Sequence, residues 1–293
     1  MIYDNKILFK GIVIDDTWIL QAKFFVIQGM ILSHFVLQLV LYDQLIIMSF
    51  YCFLVFYMKA LIFDMDGVLV DAMPFHYEAM KTAVKEITNI DLDKRTFYLL
   101  EGMPVEEMAL EIFKLKGYHV DDGSKKNNTA NQKSEEVAKR KKEIFTEMNI
   151  IPKPYDGVRE LISNDLRGCM KAVVSGAAKQ EVDTIIEQNF GKDNFDLIMN
   201  GDELEGKGKP DPAPFKLAIQ RLNLNNNEAL VVENAPLGIK SANDAGINSI
   251  VTLNTSPLAI DDFKELISKD RIFKDTISAR RYLKKSCISG DES

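Results

Sequence analysis

From Ala60 onward the chain alternates two kinds of stretch. Short apolar runs at 60–63, 170–174, 197–199, 230–232 and 247–253 predict strands. Between and after the later ones, 179–189, 214–222 and 236–245 mix apolar and polar residues at helical spacing. Strand and helix in turn predict an α/β fold with a doubly wound parallel sheet covered by helices on both faces. Between the first strand and Pro152 the pattern changes, and 73–87, 104–116 and 135–148 carry helical periodicity with mixed charge. This predicts a helical cap, 73–152, inserted into a core made of 58–72 and 153–293, with hinges near 71–74 and 150–155. Within the cap, 119–134 is rich in Asn, Asp, Lys and Ser and reads as a surface loop.

Residues 1–57 follow neither pattern. From Phe24 to Met58 the one side chain carrying a full charge at neutral pH is Asp43. Stretch 24–42 approaches the roughly 20 residues that span a bilayer, yet it carries Gln28, Ser33, His34 and Gln38. A membrane helix there would run into the first core strand without a linker at Met58-Lys59. The expectation is an apolar N-terminal extension outside the core fold. Membrane association through 24–57, or an extra packed element, are the other readings.

The 293 residues are 46% hydrophobic, enough for a sizeable core, and their net charge of −7 argues against a nucleic-acid partner. Cys52, Cys169 and Cys287 stand at unrelated spacings with no CxxC, which predicts a reducing, cytoplasmic setting with no disulfide framework and no zinc site. None of the three histidines is paired at ligand spacing.

The densest chemistry lies at Asp64-Met65-Asp66-Gly67, where the first strand meets a glycine turn. Residues i and i+2 of a strand share a face, so Asp64 and Asp66 converge on one site. Further along stand a strand ending in Ser175-Gly176, a lysine in Gly208-Lys209-Pro210, and a strand ending in Glu233-Asn234 before Pro236-Leu237-Gly238. In an open parallel sheet, ligands bind at such strand ends.

These four segments, in this order, resemble the motifs of the haloacid dehalogenase-like hydrolases, over roughly 58–283. The resemblance implies a Rossmann-like core, with Asp64 as nucleophile and Asp66 as general acid and base. It implies phosphate binding by Ser175, the main-chain N–H groups of Gly176 and Ala177, and Lys209. It also implies Mg²⁺ on Asp64, the Asp66 carbonyl and the residue at 234, where this chain has Asn in place of the usual carboxylate, with Glu233 as a possible compensating ligand. Glu233 and Asn234 merely capping the helix that follows is the competing reading.

Within the cap, Met73-Pro74-Phe75-His76 and Ala138-Lys139-Arg140-Lys141 resemble segments of the beta-phosphoglucomutase-like group. His76 and Lys141 then lie near substrate, although a hinge role for His76 and a solvated helix face for Lys141 fit equally. Glu101-Gly102-Met103-Pro104-Val105 occupies the cap specificity loop of that group, with Val105 where a phosphate-gripping Arg stands. The resemblance therefore implies a monomeric, Mg²⁺-dependent phosphatase acting on a small phosphate ester such as a sugar phosphate or a phosphoglycolate-like compound, through an aspartyl phosphate. A phosphosugar mutase is the alternative within the family, and a non-catalytic membrane-tethered binding module the alternative outside it.

Overall fold

The computed structural model describes residues 2–3, 6–9, 12–14, 58–118 and 127–287. The chain divides into two compact units, Met1–Val55 and Phe56–Ser293. In the first, β1 (Ile2–Tyr3), β2 (Lys6–Phe9) and β3 (Ile12–Ile14) form a three-stranded antiparallel sheet, which the sequence reading did not anticipate. The apolar stretch 24–57 lies outside the described residues. Among those described, no helix is long and apolar enough to cross a membrane.

The second unit is built outward from β4 (Ala60–Phe63), every residue of which is fully buried. Alternate side chains feed opposite layers. Leu61 and Phe63 join a cluster with Val173, Val232 and Leu283, whereas Ala60 and Ile62 join one with Val174, Phe215 and Val231. Burying a Leu, Ile or Phe side chain contributes about 1.5–3 kcal/mol, so this strand anchors both layers. Around it run β5 (Met170–Val174), β6 (Leu197–Met199), β7 (Ala229–Glu233), β8 (Asn248–Thr252) and β9 (Ile272–Phe273), in the order β6-β5-β4-β7-β8-β9 and parallel throughout. This is the predicted doubly wound α/β sheet. The edge strand β9 spans two residues, too short to show a period. Because the chain leaves β4 first toward β5 and later returns to its other side at β7, the carboxyl ends of these three strands border one crevice.

The helices of the inserted segment are α1 (Met73–Thr88), α2 (Lys94–Leu99), α3 (Val105–Leu115) and α4 (Asn127–Met148). They share an apolar cluster that includes Met80, Val84, Phe97, Ile112 and Val137. The start of α4 corrects the expected loop at 119–134: the helix begins at Asn127 rather than Glu135. Ser134, polar by sequence, is buried there, and its hydroxyl donates 2.8 Å to the Asn131 carbonyl. Tertiary packing outweighs weak helix propensity in this stretch.

The two strands of chain joining the insert to the core are tied to each other. Asp71 N–H donates to Lys153 O at 2.9 Å, and the Tyr155 hydroxyl reaches Asp71 Oδ1 at 3.0 Å. On the core lie α5 (Lys179–Asn189), α6 (Ala213–Leu222), α7 (Pro236–Asp244) and α8 (Arg280–Cys287). The expectation of no disulfide is overturned: Cys169 and Cys287 are bonded, with Cα atoms 5.3 Å apart. Their separation of 118 residues concealed the pairing, since only the return of α8 to the start of β5 brings them together.

Candidate active site

Asp64 leaves β4 with its N–H still donating to Val232 O at 3.0 Å, so the sheet register fixes its backbone. The chain then folds into a tight turn in which Gly67 N–H donates to Val70 O at 2.9 Å. Gly67 adopts φ +87°, and a Cβ there would lie 2.2 Å from Asn234 Nδ2, so this position requires glycine. The turn at the end of β4 and the loop after β7 therefore interlock through a residue without a side chain.

Lys209 is the centre of charge. Its Nζ contacts Asp64 Oδ1 and lies 2.5 Å from Glu233 Oε1, and all three side chains are buried. Burial pushes the Asp64 carboxyl up to about 8, with Lys209 opposing the rise and Glu233 and Asp66 adding to it. Burial opposes the Lys209 charge as well, but Asp64 and Glu233 hold its pKa above the ordinary lysine range. Lys209 thus stays an ammonium, and the surplus negative charge around it is relieved at Asp64, which holds its proton to higher pH.

Glu233 is committed to structure. Its Oε2 accepts from the N–H groups of Asn234 at 2.9 Å and Ala235 at 3.2 Å, and a Cβ on Gly238 would stand 2.1 Å from its Cδ. It shapes the loop entering α7, and its other oxygen faces Lys209. Asn234 sits beside it with its Nδ2 donating 2.8 Å to Glu101 Oε1. Ser175 ends β5, its N–H donating to Met199 O at 3.1 Å. Its hydroxyl oxygen accepts the Ala177 N–H at 3.1 Å, which occupies one of the two main-chain donors expected to face phosphate. A Cβ on Gly176 would meet nothing within 4 Å, so the backbone there is open to a ligand.

Asp64, Asp66, Ser175, Gly176, Lys209 and Glu233 line one cavity of about 870 Å³ whose other wall is the cap. His76, Gly102, Val105 and Lys141 line it from that side. His76 Nδ1 lies 3.1 Å from Lys141 Nζ, and its ring stacks on Phe145 with centroids 4.2 Å apart. Burial, and then Lys141, lower the His76 pKa, so the ring is neutral. With Nδ1 accepting from Lys141, Nε2 carries the proton and points toward Glu181 Oε1 at 3.6 Å and Asp66 Oδ1 at 3.8 Å. Those spacings exceed a hydrogen bond and leave two acceptor carboxylates facing the cavity. Burial, followed by Asp66, raises Glu181 to about 7, with Lys141 opposing. Sequence reading missed Glu181, Phe145 and any role for Glu101. Glu181 follows Ser175 closely, but an acid in a first helical turn reads as an ordinary dipole partner.

Among the described residues no group of three or more His, Cys, Asp or Glu side chains is placed to hold a metal ion, so a divalent cation here would draw on amide and main-chain oxygens as well. Asp64 and Glu233 flank the Lys209 ammonium, Glu101 meets Asn234 and Asp66 faces His76, and Asp66 Oδ1, Asn234 Oδ1 and Glu101 Oε2 are buried without a hydrogen-bond partner among the described residues. Unpaired oxygens in such a place suit a hard cation.

The family model for haloacid dehalogenase-like hydrolases matches residues 61–252. The chain is 31% identical over 201 residues to a phosphorylated carbohydrates phosphatase of Thermotoga maritima, covering 66% of this chain and 84% of that one. It is 26% identical over 196 residues to the beta-phosphoglucomutase of Bacillus subtilis, covering 66% and 82%. A crystal structure of beta-phosphoglucomutase from Clostridium difficile superposes with a TM-score of 0.61 at 20% identity, over 78% of this chain and 96% of that one. The chain therefore belongs to the haloacid dehalogenase-like hydrolases. Within that family it is a phosphoric monoester hydrolase.

Proposed function

We propose that this enzyme hydrolyses a small phosphorylated metabolite, a sugar phosphate or phosphoglycolate-like ester, through a phosphorylated Asp64. The observation that carries this reading is the placement of Asp64, held by Lys209, in a cavity that the cap walls with both apolar and polar side chains. An Asp64 oxygen attacks phosphorus, and the bond from phosphorus to the ester oxygen breaks. Asp66 gives its proton to the departing alkoxide, then takes one from the water that attacks the aspartyl phosphate, releasing inorganic phosphate and restoring Asp64. Lys209, Ser175 and the Gly176 backbone offset charge on the phosphoryl oxygens. Asp64, the Asp66 carbonyl and Asn234 Oδ1 would hold Mg²⁺, which supplies Lewis-acid stabilisation of the phosphoryl charge when bound.

The cap chooses the leaving group. Neutral His76, Lys141 and Glu181 form a donor and acceptor set suited to hydroxyls, and Val105 opens α3 without the bidentate grip that an Arg there would give a second phosphate. Hydrolysis is thereby favoured over mutase chemistry. The test is a panel of phosphorylated metabolites with Mg²⁺, read by released phosphate and by NMR of the products. Phosphate release from sugar phosphates is expected. No release from any ester, or interconversion of sugar 1- and 6-phosphates driven by a bisphosphate with little release, would overturn the reading.

A further inference from the structure

Asn234 gives the cation site an oxygen but no charge, and its neighbour Glu233 is already shared: Oε2 takes two main-chain N–H groups and Oε1 is ion-paired with Lys209 at 2.5 Å. A different carboxylate arrives from across the cap interface. Glu101 Oε1 accepts the Asn234 amide at 2.8 Å, with Glu101 8% and Asn234 1% exposed. This contact leaves Glu101 Oε2 and Asn234 Oδ1 both buried and without a partner among the described residues. Asp66 Oδ1 is in the same condition.

The backbone holds Glu101 at this point. Gly102, at φ +96°, packs so tightly on Lys209 that a Cβ would lie 2.9 Å from the lysine Cβ and Cδ. On the facing loop, a Cβ on Gly208 would lie 2.6 Å from Pro104 Cδ and 2.9 Å from Gly102 O. Two glycines thus let the cap loop and the Lys209 loop touch, and that contact delivers the residue before Gly102 to Asn234. A carboxylate buried beside Asp64, Glu233 and the one ammonium they share is costly unless further positive charge joins it.

We propose that Glu101 supplies the cation site with the negative charge that Asn234 lacks, so that the site is completed across the cap and core. This rests on the Mg²⁺ reading above. The carboxylate comes from the facing cap loop, and the Asn234 amide orients it.

Isothermal titration of the full chain with Mg²⁺, together with melting temperatures with and without Mg²⁺, tests this without reference to turnover. Glu101→Gln keeps an oxygen to accept the Asn234 amide but removes the charge. It should melt at or above wild type without metal, since an uncompensated buried charge is gone, and bind Mg²⁺ about tenfold or more weakly. Adding Asn234→Asp to Glu101→Gln should recover most of that affinity. Asn234→Asp alone sets two carboxylates against each other, so it should melt lower without metal and gain more from Mg²⁺ than wild type does. Unchanged Mg²⁺ affinity in Glu101→Gln, or no recovery in the double variant, would overturn the proposal and leave the hydrolase reading intact. A wild type that takes up no Mg²⁺ would overturn both the cation reading and this proposal, and phosphate release measured separately would still judge the hydrolase.

Discussion

Gly102 of the cap lies against Lys209 of the core so closely that any side chain at 102 would strike the lysine, with 2.9 Å from an added Cβ to its Cβ and Cδ. Gly102 also sits at φ +96°, where side-chain-bearing residues are strained. Gly102→Ala should therefore cost about 1–3 kcal/mol in stability. It should lower kcat/KM as well, because Lys209 must shift away from Asp64. Denaturant midpoints and steady-state kinetics check this, and unchanged values for both would show that the loop repositions freely.

Lys209 itself neutralises two buried carboxylates. Lys209→Met leaves Asp64 and Glu233 without their partner, a change that typically costs about 3–5 kcal/mol. An exposed pair offers the control: Lys240 and Asp244 are 2.6 Å apart with both side chains nearly half exposed, and Lys240→Met should change stability by at most about 0.5 kcal/mol. Unfolding curves without metal compare them, and equal effects would mean the buried cluster is relaxed by water or protonation.

Asp64→Asn should lower turnover by about 10³-fold or more while leaving the fold intact, because the amide is a far weaker nucleophile and Lys209 keeps its contact with Glu233. Asp66→Asn should be similarly impaired through loss of proton transfer. Phosphate release on the best ester of the panel, with circular dichroism as the fold control, decides it. Near wild-type turnover in Asp64→Asn would remove the covalent mechanism.

Sequence alone revealed what local pattern encodes. Short, mainly apolar runs marked β4 to β8, and acids or hydroxyls at their ends marked the residues that the crevice gathers. It did not reveal contacts that only the folded chain creates. Glu101 meets Asn234 across 133 residues, and Cys169 meets Cys287 across 118. Glu181 and Phe145 become wall residues because α5 and α4 face each other over His76. No spacing rule joins side chains from different helices, so these partners could be seen only once the cap was in place.

Asp93 caps α2, accepting from Thr96 N and Thr96 Oγ1 at 2.8 Å each and from Lys116 Nζ at 2.7 Å. Lys116, and then the Thr96 N–H, hold its carboxyl well below the usual carboxylate range. A depressed pKa in the folded state stabilises the fold above the unfolded value near 3.8, and that contribution is lost as pH falls further. Asp93→Ala should cost about 1 kcal/mol at neutral pH, the usual worth of such a cap. The gap between variant and wild type should narrow as the medium is acidified below about pH 4. Urea midpoints at neutral and acid pH test this, and a gap that stays constant would show that the charge contributes nothing beyond shape.

A chain beginning at Met58 should fold and turn over like the full one. The compact unit that contains the sheet, the cap and the crevice starts at Phe56, and Met58 is already engaged, its N–H donating to Ser286 O at 2.9 Å. From there, Lys59 N–H reaches Glu228 O, and β4 follows directly, so the sheet can form with nothing ahead of it. Every residue assigned a role in phosphate, cation or leaving-group binding also lies after Met58. Apolar sequence left exposed promotes association, so a chain without 24–57 should give equal or higher yield. Expression of both lengths, with melting temperature, Mg²⁺ binding and phosphate release measured side by side, makes the comparison. A shortened chain that aggregates or melts markedly lower than a well-behaved full chain would show that residues 1–57 pack against the enzyme and belong to its fold.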